Sequence, residues 1–228
     1  MNLIGDYRHE MKYAIALSDY YALRQRIRTV MKPDPHVRAN GLYRVRSIYF
    51  DNVDDKALRE KEAGIQVREK FRIRYYNDDL SFISLEKKIK HNDLCLKVDC
   101  PISEKECRDL LDGRLGWMAG HAQPLVQELF CKMQYQQLRP RVLVSYIREP
   151  YVYAPGHIRV TFDSNIRSTL FHGKFLEDTV QDIAVNDGQM ILEAKYTGYM
   201  PEIITEMLQL GSIRLGSYSK YGACRRFG

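Results

Sequence analysis

No stretch of this sequence approaches the ~18 consecutive apolar residues of a membrane-spanning helix, which excludes a helical span of that kind within it. The N-terminal MNLIGDYRHEMKY has no long apolar stretch followed by a small-residue cleavage site, so a cytoplasmic location is expected. Cys95, Cys100, Cys107, Cys131 and Cys224 are odd in number and form no C-x-x-C pair, which argues against a disulfide framework and a thiolate zinc site. Free thiols in a reducing compartment are the expectation. The six histidines are scattered and no HExxH is present, so no histidine-based metal centre is indicated. Internal repeats, low-complexity linkers and a lysine-rich tail are also missing, and with no recognised module no nucleic-acid partner is expected.

What the chain has is charge at every second position of short strand-like segments. Arg8-x-Glu10-x-Lys12, Lys70-x-Arg72-x-Arg74, Glu86-x-Lys88, Arg159-x-Thr161-x-Asp163 and Glu193-x-Lys195 are interleaved with mainly apolar or aromatic residues. Side chains on a strand alternate faces, so each segment is ionic on one side and hydrophobic on the other. A solvated sheet face gives this pattern, and so does a closed antiparallel sheet whose ionic face lines a tunnel. The net charge of +6, from 35 Lys and Arg against 29 Asp and Glu, points to an anionic partner or a basic surface.

The 228 residues read as one domain, 1–228. A strand is expected over 10–17, then a helix capped at Ser18-Asp19 and running to the break at Lys32-Pro33-Asp34-Pro35. Strands follow at 43–51, 67–76, 81–90 and 94–98, the last three joined by turn-rich segments as in a meander of hairpins. Ser103 with Glu106 reads as a capping box opening a helix to Leu111, and 124–138 as a further helix ended by Pro140. Strands return at 142–151, 158–164 and 190–196, and Pro201 opens a last helix through Met207. The class is α+β, an antiparallel sheet decorated by helices.

Six stretches in order, RHEMKY, RSIYFDN, KFRIRYY, LEKKIK, the pair SYIREPY and RVTFDSNIR, and ILEAKY followed by SYSKYG, resemble the VTC domain. That domain is the polyphosphate polymerase branch of the triphosphate tunnel metalloenzyme, or CYTH-like, superfamily. The resemblance implies a closed antiparallel eight-stranded β-barrel whose tunnel binds ATP and polyphosphate (or tripolyphosphate) with Mn²⁺ or Mg²⁺. A membrane partner protein is compatible with it. By the same resemblance Lys12, Arg72, Arg74, Lys88, Arg148, Arg159, Lys195 and Lys220 are the catalytic cations, and Glu193 and Glu10 the metal carboxylates. Arg8, Lys97, Tyr146 and Ser219 are additional phosphate contacts. Many cations against few carboxylates suits a triphosphate: arginine offers a planar fork, lysine a compact charge, and Mg²⁺ or Mn²⁺ prefers carboxylate oxygen.

Two positions depart from the pattern. Arg8 stands where the wider superfamily has a first glutamate, which leans away from hydrolysis, and Ser217 stands where polymerase domains often carry a lysine. An inorganic or nucleoside triphosphatase, or a non-catalytic sensor of polyphosphate or inositol phosphates, are the alternative readings. Arg44 and Arg46 are expected on a solvated face, and Asp163 is expected to orient an arginine. Glu86 either binds metal or holds Lys88 or an arginine, and the sixteen tyrosines are expected to be mostly packing residues, Tyr146 alone having a motif-based case for touching phosphate.

Overall fold

The computed structural model describes residues 7–169, 174–177, 182–185, 188–209, 215–216 and 218–226. Strand β1 (Arg8–Ile15) leads into helix α1 (Leu17–Arg28), the two-residue β2 (Lys32–Pro33) and β3 (Tyr43–Asp51). Helix α2 (Lys56–Glu62) precedes the meander β4 (Val67–Tyr76), β5 (Asp79–His91) and β6 (Leu94–Ile102). Helices α3 (Glu104–Leu111) and α4 (Pro124–Tyr135) come next, then the long strands β7 (Arg139–Tyr153) and β8 (Ile158–Thr169). The remainder comprises β9 (Ile183–Ala184), β10 (Met190–Tyr196), α5 (Glu202–Leu208), β11 (Leu215–Gly216) and α6 (Lys220–Arg226).

Eight strands close into an antiparallel ring in the order β7-β3-β4-β5-β6-β1-β10-β8, with β8 pairing back onto β7. This is the expected eight-stranded α+β architecture. The pairings are unequal: β1 matches β10 from His9↔Tyr196 to Ile15↔Met190, but meets β6 only at Arg8↔Cys95 and His9↔Leu94.

Alternation puts the apolar half of each strand on the outside of the ring, where helices cover it. Ile48, Phe71, Ile73 and Leu85 pack under Cys107 and Leu110 of α3 and Val126 and Leu129 of α4. On the opposite flank Leu23 and Ile27 of α1 pack on Val160, Phe162 and Leu192. Each such fully buried side chain contributes about 1.5–3 kcal/mol, which holds the wall in place while its inner face is left to charge. Inside the ring, Val45, Val144 and Ile191 form an apolar cluster with Tyr221 and Cys224 of α6. That helix is thereby seated on the ring.

Several boundaries differ from those expected. Helix α1 starts at Leu17, with Asp19 Oδ2 accepting from the Ala16 amide at 3.3 Å, so Asp19 serves the first turn from inside it. Strands β6, β7 and β8 run longer than 94–98, 142–151 and 158–164 because their ladder partners extend them past prolines and bulges. Pro140 is accommodated at the register shift beside Phe50, and Asn165, at φ 50°, at the one beside Ser145. Helix α4 ends at Tyr135, and α6 is a helix that the pattern did not indicate. All five cysteines are free. No helix among the described residues is long and apolar enough to cross a membrane.

Candidate functional site

The ring encloses a cavity of about 1560 Å³, in whose lining lysine and arginine outnumber carboxylates by more than two to one. The β1–β10 register sets Glu10 opposite Lys195 and Lys12 opposite Glu193, giving a checkerboard of charge on the inner face. Lys12 Nζ lies 2.8 Å from Glu10, Lys195 Nζ 2.7 Å from Glu193, and Lys88 reaches across from β5 to within 2.5 Å of Glu10. Burial and the Glu193 charge push the Glu10 carboxyl up, but Lys12, Lys88 and Lys195 overcome them and hold it well below the usual carboxylate range. Burial likewise opposes ionisation of Glu193, and Lys195, Lys12, Lys220 and Arg148 keep it ionised.

On β4 the inward positions carry Arg72 and Arg74. Arg72 donates to Glu86 at 2.6 Å and to the Tyr49 hydroxyl at 3.0 Å, and Arg74 donates to Ser47 at 2.9 Å and to the Tyr146 hydroxyl at 3.2 Å. Glu86 thus holds arginines, with Lys97 3.6 Å away, while Lys88 turns to Glu10. Burial pushes Glu86 up, yet Arg72, Arg74 and Lys97 leave it well below its usual range.

A third cluster centres on Asp163, which is fully buried. Arg148 donates to it twice, at 2.6 and 2.7 Å, and Lys220 Nζ from α6 sits 2.5 Å from it. Both cations also approach Glu193, at 3.9 and 4.0 Å. Arg159 is anchored by Asp34 at 2.9 Å and donates to the Tyr43 hydroxyl at 2.7 Å.

All fourteen residues expected at the site, from Arg8 to Lys220, line this one cavity. They are not equivalent in place. Arg8 is exposed and the Lys97 side chain is 52% exposed, whereas Arg74, Arg148, Tyr146 and Glu193 are buried. The Ser219 hydroxyl accepts from the Gly222 amide at 3.1 Å and so caps α6. Ser217 lies outside the described residues.

Two expectations are corrected. Arg46 is not on a solvated face: it is 2% exposed on the outer side of the wall, where it donates to the Tyr75 hydroxyl at 2.8 Å. Tyr43 and Tyr49 are not mere packing, since their hydroxyls line the cavity and accept from arginines. Lys70, named in the Lys70-x-Arg72-x-Arg74 pattern but given no site role there, also lines the cavity with the same inward parity as Arg72 and Arg74. Among the described residues, no three Asp, Glu, His or Cys side chains converge as a metal cage.

The sequence matches the VTC domain over residues 7–227. The chain belongs to the VTC domain family. Solved structures share its fold at low identity. A candidate adenylyl cyclase from Hippeastrum, described as having a dominant triphosphatase activity, superposes with a TM-score of 0.58 at 11% identity, covering 97% of this chain and 96% of that one. A candidate adenylate cyclase from Bacillus halodurans gives a TM-score of 0.50 at 16% identity, covering 89% and 86%. A search of curated proteins finds no match. In this VTC domain Glu10, Glu86, Asp163 and Glu193 on the inner wall are each paired with lysine or arginine, and further lysines and arginines line the cavity. Such a surface is suited to a multiply charged anion that carries many acceptor oxygens.

Proposed function

We propose that this VTC domain is a metal-dependent polyphosphate polymerase that transfers the γ-phosphate of ATP to a growing polyphosphate chain. The observation that supports transfer over hydrolysis is the state of the inner carboxylates. Glu10, Glu86, Glu193 and Asp163 are all held below their usual range by neighbouring cations. A carboxylate so stabilised is a poor proton acceptor, which disfavours these four side chains as general bases toward water. A terminal phosphate brings its own anionic oxygen and needs no base.

In this reading Lys12, Arg72, Arg74 and Lys220 hold the γ-phosphate, and Lys88, Arg148, Arg159 and Lys195 the phosphates beside it. Arg8 and Lys97 contact the chain from their more exposed positions, and Tyr146 and Ser219 add hydroxyl contacts. A terminal phosphate oxygen of the chain attacks the γ-phosphorus. The bond from that phosphorus to the β–γ bridging oxygen breaks, ADP leaves with the electron pair, and the polymer is one unit longer. The cations spread the charge of the transition state, so catalysis rests on positioning and electrostatics without a covalent enzyme intermediate.

The donor set fits a hard divalent ion. Mg²⁺ and Mn²⁺ use one or two carboxylates and complete their coordination with phosphate oxygens and water, so no protein cage is required. Glu10 and Glu193, ionised and on the same inner face, would hold it, and when bound it neutralises charge on the transferring phosphate oxygens.

The test is incubation of purified protein with ATP and Mn²⁺ or Mg²⁺, following polymer length, ADP and free phosphate together. Polymer accompanied by one ADP per phosphate unit incorporated is expected. Phosphate release without polymer would convert the reading to a triphosphatase, and tight binding with neither product would make the domain a sensor.

A further inference from the structure

Among the described residues, the cavity cations that have a carboxylate at ion-pair distance take it from a strand of the ring, with one exception, Arg159. Its partner is Asp34, which stands on the connection from β2 to β3 and is not among the residues that line the cavity. The tie is firm at both ends. Asp34 is 4% exposed, its amide donates to the Pro150 carbonyl of β7 at 3.1 Å, and its Oδ2 lies 2.9 Å from the Arg159 guanidinium. Its Oδ1 meets the His36 amide and the His36 ring Nδ1, each at 2.9 Å.

Burial pushes the Asp34 carboxyl up, but the His36 amide, the Arg159 charge and the His36 ring outweigh it and hold the group below its ordinary value. A full negative charge therefore sits behind Arg159. From the elements packed around it come Arg159 of β8 and Tyr43 of β3, whose hydroxyl accepts from Arg159 at 2.7 Å and lies within the field of Arg148 on β7. Glu149, beside Pro150, is taken up by Tyr20, Arg24 and Tyr151, and Lys32 and Arg38 on the connection itself are exposed. An ionised carboxylate only accepts, so His36 Nδ1 carries the proton of its bond and Nε2 is the nitrogen left to take up another. The ring is 88% exposed, and a histidine changes charge between pH 5 and 8. Acidification thus adds a positive charge beside Asp34 without breaking either bond.

We infer that Asp34 and His36 form a control element behind Arg159: the carboxylate offsets the arginine's charge and limits its hold on a phosphate anion, and protonation of His36 relieves that limit. This rests on the proposed function only for the class of ligand. Arg159 Nε is buried without a partner among the described residues, so the guanidinium keeps a donor for such an anion. A ligand that moves along a cavity has to be released as well as held. A counter-charge placed outside the wall supplies that balance without obstructing the path.

The experiment is calorimetric titration of the protein with tripolyphosphate, without nucleotide or metal, at pH 8 and at pH 5, the two ends of the histidine range. D34N binds ~10-fold more tightly at pH 8, because it removes a unit charge directly behind Arg159 in a partly screened setting. H36N keeps a short donor in the place of Nδ1 and cannot take up the proton. It matches wild type at pH 8 and binds ~3-fold more weakly than wild type at pH 5, a comparison at one pH in which protonation of the ligand cancels. Weaker or unchanged binding by a folded D34N, or an H36N that follows wild type at both pH values, overturns the element. A structural role alone moves neither affinity in these directions. His36 is exposed, so H36N decides the question even where D34N folds poorly. No turnover is involved, and a failed polymerase assay leaves both outcomes readable.

Discussion

Arg148 clasps Asp163 through two hydrogen bonds of 2.6 and 2.7 Å, and the carboxylate so held is fully buried. Lys220 occupies the same group from α6, which makes Asp163 the shared anchor of two cavity cations. Asp163→Asn removes the near counter-charge of both buried cations and leaves them only the more distant Glu193, at 3.9 and 4.0 Å. A loss of about 3–5 kcal/mol is expected, as for other broken buried pairs, and a thermal melt measures it. An unaltered melting temperature would show that the anchor is dispensable.

Glu193→Gln keeps the shape of the side chain and removes its charge. Metal-dependent turnover should fall by ~100-fold or more, since a bound divalent ion contributes several kcal/mol at the transferring phosphate. Circular dichroism should still report a folded protein. Turnover equal to wild type refutes the assignment of Glu193 as a metal carboxylate.

Lys70 gives a pH signature. Its folded pKa of about 7 lies below the ordinary lysine value of 10.5, so between these limits the unfolded chain binds more protons than the folded one. Its contribution to stability is present above pH 10.5 and is lost as pH falls through about 7. An anion that binds near Lys70 favours the charged form, so polyphosphate binding at pH 8 should take up a proton. Titration in buffers of different ionisation enthalpy reads that uptake, and K70Q should reduce it. Equal uptake in K70Q would place the proton elsewhere.

The Tyr221 hydroxyl donates to Asp51, whose carboxylate also receives the Ala57 amide at 2.9 Å. Burial and the Asp51 charge raise the phenol above its usual range, so it stays a donor. Tyr221→Phe removes one bond to a charged acceptor and should cost about 1.5–3 kcal/mol. Because α6 carries Lys220, affinity for tripolyphosphate should fall with it. Calorimetry of both variant properties checks the link, which fails if stability drops while affinity does not.

The wall was legible in the sequence because alternation is a local signal: Glu10 and Lys12, or Arg72 and Arg74, declare a shared face by their spacing alone. Arg46 was misread because parity tells which face a residue takes and not what covers it. The cover is the carbonyl of Glu177, more than a hundred residues away. Helix α6 was invisible for a similar reason. Its seven residues include Gly222, and its support is tertiary, through Arg225 to Asp55 and Arg226 to Glu62. Gly222 is closely packed, since an added Cβ would come within 3.3 Å of the Leu58 side-chain tip and would ask it to give by a few tenths of an ångström.

The place of β1 between β6 and β10 has a consequence for how the protein is made. Its main partner is β10, which begins at Met190. At synthesis rates of roughly 5–20 residues per second, the first strand waits on the order of 10–40 s for that partner to leave the ribosome. Through that interval it has at most its two-pair contact with β6. The nascent chain therefore passes through a stage with an open strand edge beside a half-built cationic trough, and whatever shields that edge in the cell acts before Lys195 exists.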